Sequence, residues 1–353
     1  MPSMNPFYCE IRELYLRDPF GIARGTKKSV CNLFLRIGEG WGEGAPVYYL
    51  GQSADEMLIM AQEWFHAGFD EWNPYCSNPE PVIRSIIEEM LRRYPGQTGL
   101  AQAVDLALYD GWGKAQGKPL HQLWGLDPER APLSSFTIGI DNLEQVLEKT
   151  RRAEPYPILK IKVGGEKDWE ALIAIHHHCR KPFYIDANEG WTMEQTLESL
   201  PKLAEMGVHL LEQPLPRTDR DGYRRLYEKN RSGVPIMIDE GAQTPNQVES
   251  WAGLAQGINV KLAKCGGLAH AREMIRIARR CGMRVMLGCM IESSLGITAA
   301  AHLASLVDDV DLDGAALLAE DPFTGMRLDR GTLVMPHRPG IGAEPMSPSL
   351  KGR

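Results

Sequence analysis

From about residue 133 the chain repeats one pattern: a short apolar strand core, a loop, and then a helical stretch. Strands that alternate with helices in this number form a parallel sheet with both faces covered, and such a sheet closes into a barrel. We therefore predict an α/β fold, a (β/α) barrel. The predicted strand cores are Leu133–Ile138, Ile158–Val163, Phe183–Ile185, His209–Leu211, Ile236–Ile238, Ile258–Leu262, Arg284–Leu287 and one near Val310–Leu312. The predicted helices between them include Asp168–Cys179, Met193–Glu205, Asn246–Gln256 and Ala269–Cys281.

The first 122 residues lack this alternation and predict a separate α+β domain. Its predicted elements are a strand at Asn32–Ile37, a glycine-rich turn at Gly38–Gly44, and helices near residues 54–67, 79–94 and 98–116. The chain thus divides into two predicted domains, residues 1–122 and 123–325.

Charge and composition exclude several classes of protein. With 39 Lys and Arg against 46 Asp and Glu, the net charge is -7, which disfavours nucleic acid and anionic membranes as partners. No apolar run approaches the length of a membrane span, and Met1–Leu14 lacks a basic stretch followed by an apolar one. We therefore expect a cytoplasmic protein.

Neither the cysteines nor the histidines predict a zinc site. The 7 cysteines include no CxxC pair, which predicts buried free thiols in a reducing compartment. The run His176–His178 lies in a helical pattern, where consecutive side chains diverge by about 100°. We expect these histidines on a solvated helix face.

Three acidic residues, Asp186, Glu212 and Asp239, each directly follow an apolar strand core. They lie 26 and 27 residues apart, close to the roughly 25 to 30 residues that one β/α unit occupies. Each one alone could be a helix N-cap. Three in register must meet at one mouth of the barrel, and their repulsion favours a divalent cation. Carboxylate oxygens without a nearby Cys or His favour Mg²⁺.

Lysines flank this predicted metal site. An alternating apolar and charged run places Lys160 and Lys162 on one face of a predicted strand. Alone, the pair would fit an exposed edge strand. Two adjacent ammonium groups with partial burial, however, favour the neutral amine that a general base needs. Lys264 follows Asp239 by one β/α unit and should lie across the barrel mouth from this pair. For Lys261 we favour a structural charge at a strand end.

Short motifs follow one another along nearly the whole chain. They are KIK at 160–162, DAN at 186–188, EQP at 212–214, DE at 239–240 and KxxKCGG at 261–267, with GWGE at 40–43 and ALYD at 107–110 in the first domain. This ordered set resembles the muconate-lactonizing-enzyme group of the enolase superfamily. The resemblance implies a modified (β/α)8 barrel, of the (β/α)7β type. It also implies that the first domain is a capping domain, completed by residues from about 326 to 353, whose loops close the pocket.

The same resemblance implies the chemistry. A Mg²⁺ ion held by Asp186, Glu212 and Asp239 would bind the substrate carboxylate and stabilise the anion formed when the α-proton is removed. A Lys or His base beside Mg²⁺ is a known arrangement of this superfamily.

The resemblance also implies a role for each lysine. Lys162 and Lys264 would be the acid/base pair. Lys160 would contact the substrate carboxylate, and its charge would favour the neutral form of Lys162. Glu240 and Asn188 would support these groups from behind.

Four residues bear on the substrate. Asp311 and Asp313 are similar to the DxD motif of the dipeptide epimerases within this group, where the pair resembles a clamp for the ammonium of an N-terminal residue. An acidic surface turn is the alternative. Ile291, after the seventh strand, is apolar where an acidic residue could select a cationic side chain. Arg24 lies in a predicted capping loop and could pair with a γ-carboxylate.

Three functions remain open. The resemblance favours a dipeptide epimerase, expected as a homo-oligomer, with L-Ala-D/L-Glu from peptidoglycan turnover as the leading substrate. An N-succinylamino acid racemase or o-succinylbenzoate synthase would use the same lysines, but its substrate lacks a free ammonium and would leave Asp311 and Asp313 without a function. A barrel that binds a ligand without turnover is disfavoured by the full set of lysines and carboxylates.

Overall fold

The computed structural model describes residues 7–22, 25–68, 72–164 and 168–346. The first domain contains a three-stranded antiparallel sheet in the order β1-β2-β3. Its elements are β1 (Phe7–Ile22), β2 (Gly25–Ile37), β3 (Gly40–Gly44), α1 (Ala54–His66), α2 (Glu80–Arg93), α3 (Thr98–Ala115) and α4 (Leu120–Leu123). The three long helices confirm the sequence prediction to within one residue at each end. The long strand β1 was not predicted.

Helix α3 is the centre of this domain, and residues 98–113 of it are all buried. Strand β3 approaches it so closely that a Cβ on Gly40 or Gly42 would lie 1.9 or 1.8 Å from a carbonyl oxygen of α3. The prediction of a turn throughout Gly38–Gly44 was therefore wrong for residues 40–44. These glycines form a strand, and they are small because the strand lies against a helix backbone.

The second domain is built on eight parallel strands, ordered as in the chain from β4 to β11. They are β4 (Phe136–Ile138), β5 (Leu159–Lys162), β6 (Phe183–Asp186), β7 (Val208–Glu212), β8 (Ile236–Ile238), β9 (Gly257–Lys261), β10 (Arg284–Gly288) and β11 (Asp309–Asp311). A bridge between Ser134 and Val310 closes the sheet into a barrel. All eight predicted strands are thereby confirmed.

Helices connect the barrel strands. They are α5 (Leu143–Arg152), α6 (Asp168–His178), α7 (Met193–Glu205), α8 (Arg220–Lys229), α9 (Pro245–Val248), α10 (Leu262–Cys265), α11 (Leu268–Arg280) and α12 (Ser294–Ala301). The predicted helix Asn246–Gln256 was wrong in length. It ends after α9 and a short 3-10 turn, Glu249–Trp251, because Gly253 adopts a left-handed conformation with φ 78°.

The segment after the barrel returns to the first domain. It contains the short strands β12 (Phe323–Thr324), β13 (Arg327–Asp329), β14 (Thr332–Val334) and β15 (Glu344–Pro345). The Phe323 ring lies 5.7 Å from that of Phe34 and 5.5 Å from that of Trp41, centroid to centroid. The backbone N–H of Ile341 donates to Asp110 Oδ1 at 2.8 Å. These contacts support the proposal that the segment completes the first domain, whose boundary at residue 122 stays a prediction.

All seven cysteines are free, as predicted, but the expectation that they are buried was wrong for most of them. Cys265 is buried, whereas Cys31 is exposed because it points outward between the buried Val30 and Asn32 on β2. Among the helices of the described residues, none has both the length and the apolar content required to cross a membrane.

The close contact between β3 and α3 can be tested by adding one methyl group to a glycine of β3. Gly42→Ala should lower the free energy of unfolding by about 1–3 kcal/mol, since the added Cβ meets backbone that cannot move alone. Gly111→Ala on α3 is the matched control: its nearest neighbour is 3.7 Å away, and a helical Gly→Ala change is neutral or stabilising by up to about 1 kcal/mol. Urea unfolding measures both, and equal destabilisation would contradict this packing.

Candidate active site

A cavity of about 380 Å³ is lined by residues of both domains. The barrel contributes charged residues at the carboxyl ends of its strands, among them Lys162, Asp239, Lys261, Asp311 and Asp313. The first domain contributes a surface that we call the roof, which consists of Phe20, Lys27, Val30, Asn32, Tyr48 and Tyr49. The cavity therefore has a charged barrel side and a largely apolar roof.

The three predicted carboxylates meet at the barrel mouth. Asp186 ends β6, Glu212 ends β7, and Asp239 directly follows β8. All three side chains are buried, and each offers an oxygen within 4.8 Å of the other two. A set of three carboxylate oxygens, with no nitrogen or sulfur donor among them, fits a hard divalent cation such as Mg²⁺.

The two lysines predicted as acid and base approach this trio from opposite sides. Lys162 Nζ lies 2.5 Å from Asp186 Oδ2. The Lys264 ammonium contacts the Asp239 carboxylate and donates to the carbonyls of Asp239 and Asn259, at 2.6 and 2.8 Å. Strand β5 precedes the three acid-bearing strands in the sheet and β9 follows them, so the trio lies between the lysines. Lys162 lines the cavity, whereas Lys264 is fully buried.

Two further lysines contact the same acids. Lys160 is completely buried, with its Nζ 2.7 Å from Glu212 Oε2 and 2.8 Å from Asp311 Oδ2. Lys261 lines the cavity, and its Nζ lies 2.8 Å from Asp239 Oδ2. Lys261 was not predicted as a site residue. One signal was available, because Lys261 ends its strand as Lys162 does.

Burial and neighbouring charges shift the pKa values of these acids and lysines in different directions. Burial raises the pKa of Asp186, but the two ammonium groups of β5 outweigh it and bring that pKa to about 2. Burial and the charge of Asp186 raise the pKa of Glu212 to about 7. Burial lowers the pKa of Lys264, although the charge of Asp239 opposes this. A lysine held in this way gives up its proton more readily than one in water.

Asp311 and Asp313 line the cavity and are buried, so the alternative of an acidic surface turn was wrong for this pair. Asp311 Oδ1 accepts a hydrogen bond from Ser135 Oγ at 2.7 Å. Asp313 Oδ2 accepts one from the backbone N–H of Thr137 at 2.6 Å. Burial and the charge of Asp311 raise the pKa of Asp313 to about 7. A cationic group bound beside the pair would relieve this repulsion.

Three of the four other predicted site residues lie at the cavity. Asn188, with φ 45°, donates its backbone N–H to Asp186 Oδ1 at 3.0 Å. Its side-chain amide donates to Glu240 Oε1 at 3.4 Å, and both side chains line the cavity. Ile291 lines the cavity as well. Arg24 lies outside the described residues, and its role stays a prediction.

A buried pair of acidic residues that was not predicted, Glu43 and Glu292, connects the two domains. Glu43, from β3, accepts hydrogen bonds from Ser293 Oγ at 2.5 Å and from the backbone N–H of Gly296 at 3.0 Å. Glu292 Oε2 accepts one from Gln102 Nε2 of α3 at 2.6 Å. Burial and the charge of Glu43 raise the pKa of Glu292 to about 8. These bonds hold the loop after β10, which forms part of the cavity wall, against the first domain.

The raised pKa of Glu292 predicts a pH dependence of stability. Because the folded pKa is about 8 and the ordinary value 4.5, the protonated side chain contributes stability that is full below 4.5 and is lost as pH rises through 8. Glu292→Gln should therefore reduce the fall in Tm between about pH 5 and pH 9. Glu205→Gln, an exposed site on α7, is the control. A Tm profile identical to that of the parent would contradict the prediction.

The fold and the site together define a class of protein: a capped β/α barrel that gathers three acids for a divalent cation between two lysines. Residues 142–349 match the family model described as "Enolase C-terminal domain-like". The chain belongs to the enolase superfamily, which confirms the resemblance inferred from its motifs.

Similar proteins include enzymes that act on dipeptides. The chain is 41% identical over 334 residues to the L-Ala-D/L-amino acid epimerase of a Maribacter species, covering 93% of this chain and 96% of that protein. It is 34% identical over 336 residues to the L-Ala-D/L-Glu epimerase of Bacteroides thetaiotaomicron, covering 94% and 85%. The crystal structure of a dipeptide epimerase from Enterococcus faecalis, complexed with Mg and L-Leu-L-Tyr, matches with a TM-score of 0.87 and 29% identity, covering 96% and 99%.

Proposed function

We propose that this protein is a dipeptide epimerase, which inverts the α-carbon of the C-terminal residue of a dipeptide by moving a proton between its two faces. The observation that carries the proposal is that Asp311 and Asp313 line the same cavity as Lys162 and Asp239. A clamp for an ammonium and a site for proton transfer thus share one pocket. The relatives named as L-Ala-D/L-amino acid and dipeptide epimerases support it.

The carboxylate trio accounts for binding of the substrate carboxylate. Asp186, Glu212 and Asp239 would hold Mg²⁺, as their clustered oxygens permit. When bound there, the ion supplies positive charge that stabilises the negative charge developing on the substrate carboxylate as the α-proton leaves. The support for Mg²⁺ in particular is the chemistry of the three donors and the Mg present in the related structures.

The chain's own residues would perform the remaining steps. Lys162 and Lys264 face the trio from opposite sides, so one would take the α-proton and the other would return a proton to the opposite face of the same carbon. Asp311 and Asp313 would hold the substrate ammonium by charge-assisted hydrogen bonds. Lys160 was expected to contact the substrate carboxylate, which stays a prediction. Its observed contacts with Glu212 and Asp311 support a role in holding these acids in place.

Substituting each lysine separately tests the two-base arrangement. Lys162→Met and Lys264→Met should each lower the rate of epimerisation of L-Ala-L-Glu by about a hundredfold or more, the usual loss of a general acid or base. In deuterated water each variant should still exchange the α-proton of only one of the two epimers, because one base remains. NMR of the second α-carbon measures both effects.

Lys202→Met, an exposed lysine on α7, is the matched control for these variants. Calorimetric titration with Mg²⁺ shows whether the metal site survives each substitution. Either variant epimerising at close to the parental rate would contradict the roles of Lys162 and Lys264. A parent protein that exchanges no α-proton across a panel of dipeptides would contradict the proposed function.

The alternative is an enzyme of the same fold that acts on N-succinylamino acids or makes o-succinylbenzoate. Under the proposed function, Asp313→Asn should lower kcat/KM for a dipeptide by about tenfold or more, since the amide keeps an acceptor oxygen but loses the negative charge that would hold the substrate ammonium. Asp221→Asn, at an exposed carboxylate on α8, is the control. If Asp313→Asn retains parental activity and the parent racemises an N-succinylamino acid, the alternative holds.

L-Ala-D/L-Glu as the substrate is supported by the relative from Bacteroides thetaiotaomicron, which carries that name. A role in peptidoglycan turnover would follow from that substrate. A cytoplasmic location and a homo-oligomeric assembly stay predictions from the sequence.

A further inference from the structure

The lysines on the barrel side of the cavity are paired with carboxylates of the barrel. Lys162 contacts Asp186, and Lys261 contacts Asp239. Lys160 contacts Asp311 in the same way. Each of these charges is therefore compensated before any ligand binds, and a ligand has to compete with or join an existing ion pair.

Lys27, on β2, is different. The other described residues of the first domain that line the cavity are uncharged, whereas Lys27 carries an ammonium group. Among the described residues, none of the carboxylates forms an ion pair with its Nζ. Its ammonium instead lies 3.2 Å from the centroid of the Tyr48 ring, a cation–π contact that fixes it at the cavity wall. Partial burial lowers its pKa, which a bound anion would counteract.

The geometry of the reacting α-carbon indicates which part of the substrate would contact the Lys27 ammonium. In the proposed function, three of the four substituents of the α-carbon are directed at the barrel: the carboxylate at the acid trio, the proton at Lys162 or Lys264, and the peptide nitrogen toward Asp311 and Asp313. The fourth substituent, the side chain of the C-terminal residue, is left to face the roof. Its methylene groups would pack on the apolar roof residues Phe20, Val30 and Tyr48.

We propose that Lys27 is a specificity-determining residue that selects dipeptides whose C-terminal side chain ends in a carboxylate. This inference rests on the proposed function and names the substrate class of the same site. The roof then offers an apolar surface for the stem of the side chain and the ammonium of Lys27 for its end. An uncharged apolar side chain would leave the ammonium of Lys27 partly buried and without an anion, which costs binding free energy.

The test compares an acidic dipeptide with its neutral isostere. For the parent protein, kcat/KM should be higher for L-Ala-L-Glu than for L-Ala-L-Gln. Lys27→Met keeps the length of the side chain and removes the charge, so it should lower the ratio of the two kcat/KM values by about 10- to 100-fold, as for a lost hydrogen bond to a charged group. The parental preference should weaken as salt concentration rises.

Lys28→Met is the matched control, because Lys28 is the exposed neighbour on the same strand and does not line the cavity. It should leave the ratio at the parental value. Lys27→Glu is the second variant and should reverse the preference, favouring L-Ala-L-Lys over L-Ala-L-Glu.

The outcomes separate this inference from the proposed function. If the parent epimerises L-Ala-L-Gln or L-Ala-L-Leu but Lys27→Met leaves the Glu to Gln ratio unchanged, the role of Lys27 is wrong and the epimerase assignment stands. If Lys27→Met and Lys28→Met alter the ratio equally, the effect is not specific and the inference is also wrong. If the parent epimerises no dipeptide, the proposed function itself fails.

Discussion

Three buried carboxylates at the ends of β6, β7 and β8 repel one another unless positive charge surrounds them. The chain supplies this charge from the strands on either side, with Lys160 and Lys162 on β5 and Lys261 and Lys264 at and after the end of β9. Burying these ammonium groups is costly without the acids, and burying the acids is costly without the ammonium groups. The same set of charges therefore determines which strands must be neighbours and where proton-transferring groups can lie.

The two domains contribute different parts of the cavity wall. The barrel holds the charged groups, which need the rigid spacing of strand ends, and the first domain provides the roof, which contacts the variable part of a ligand. The Glu43 and Glu292 carboxylates hold the two parts together through Ser293 and Gln102. Because the loop after β10 is bonded to the first domain and also forms the cavity wall, a shift of one domain would reshape the pocket without moving the acid trio.

The sequence predicted those parts of the site that depend on local position along a strand. Asp186 and Asp239 could be assigned because residues at the ends of parallel strands must meet, whatever the details of packing. Lys261 was missed because its role depends on which way one side chain turns toward Asp239, and spacing does not encode that direction. The contact between Glu292 and Gln102 joins residues 190 positions apart and leaves no periodic signal. The glycines of β3 predict a turn because composition alone does not distinguish a turn from close packing against a helix.

The return of the last segment to the first domain has a consequence for biosynthesis. The rings of Phe34 and Trp41 are covered by Phe323, which leaves the ribosome only after the whole barrel has been made. During translation, the apolar surface formed by Phe34 and Trp41 therefore lacks this contact until Phe323 has been made. Folding of the early domain can be completed only at the end of synthesis, so a polypeptide released prematurely would expose that surface to aggregation and to chaperones.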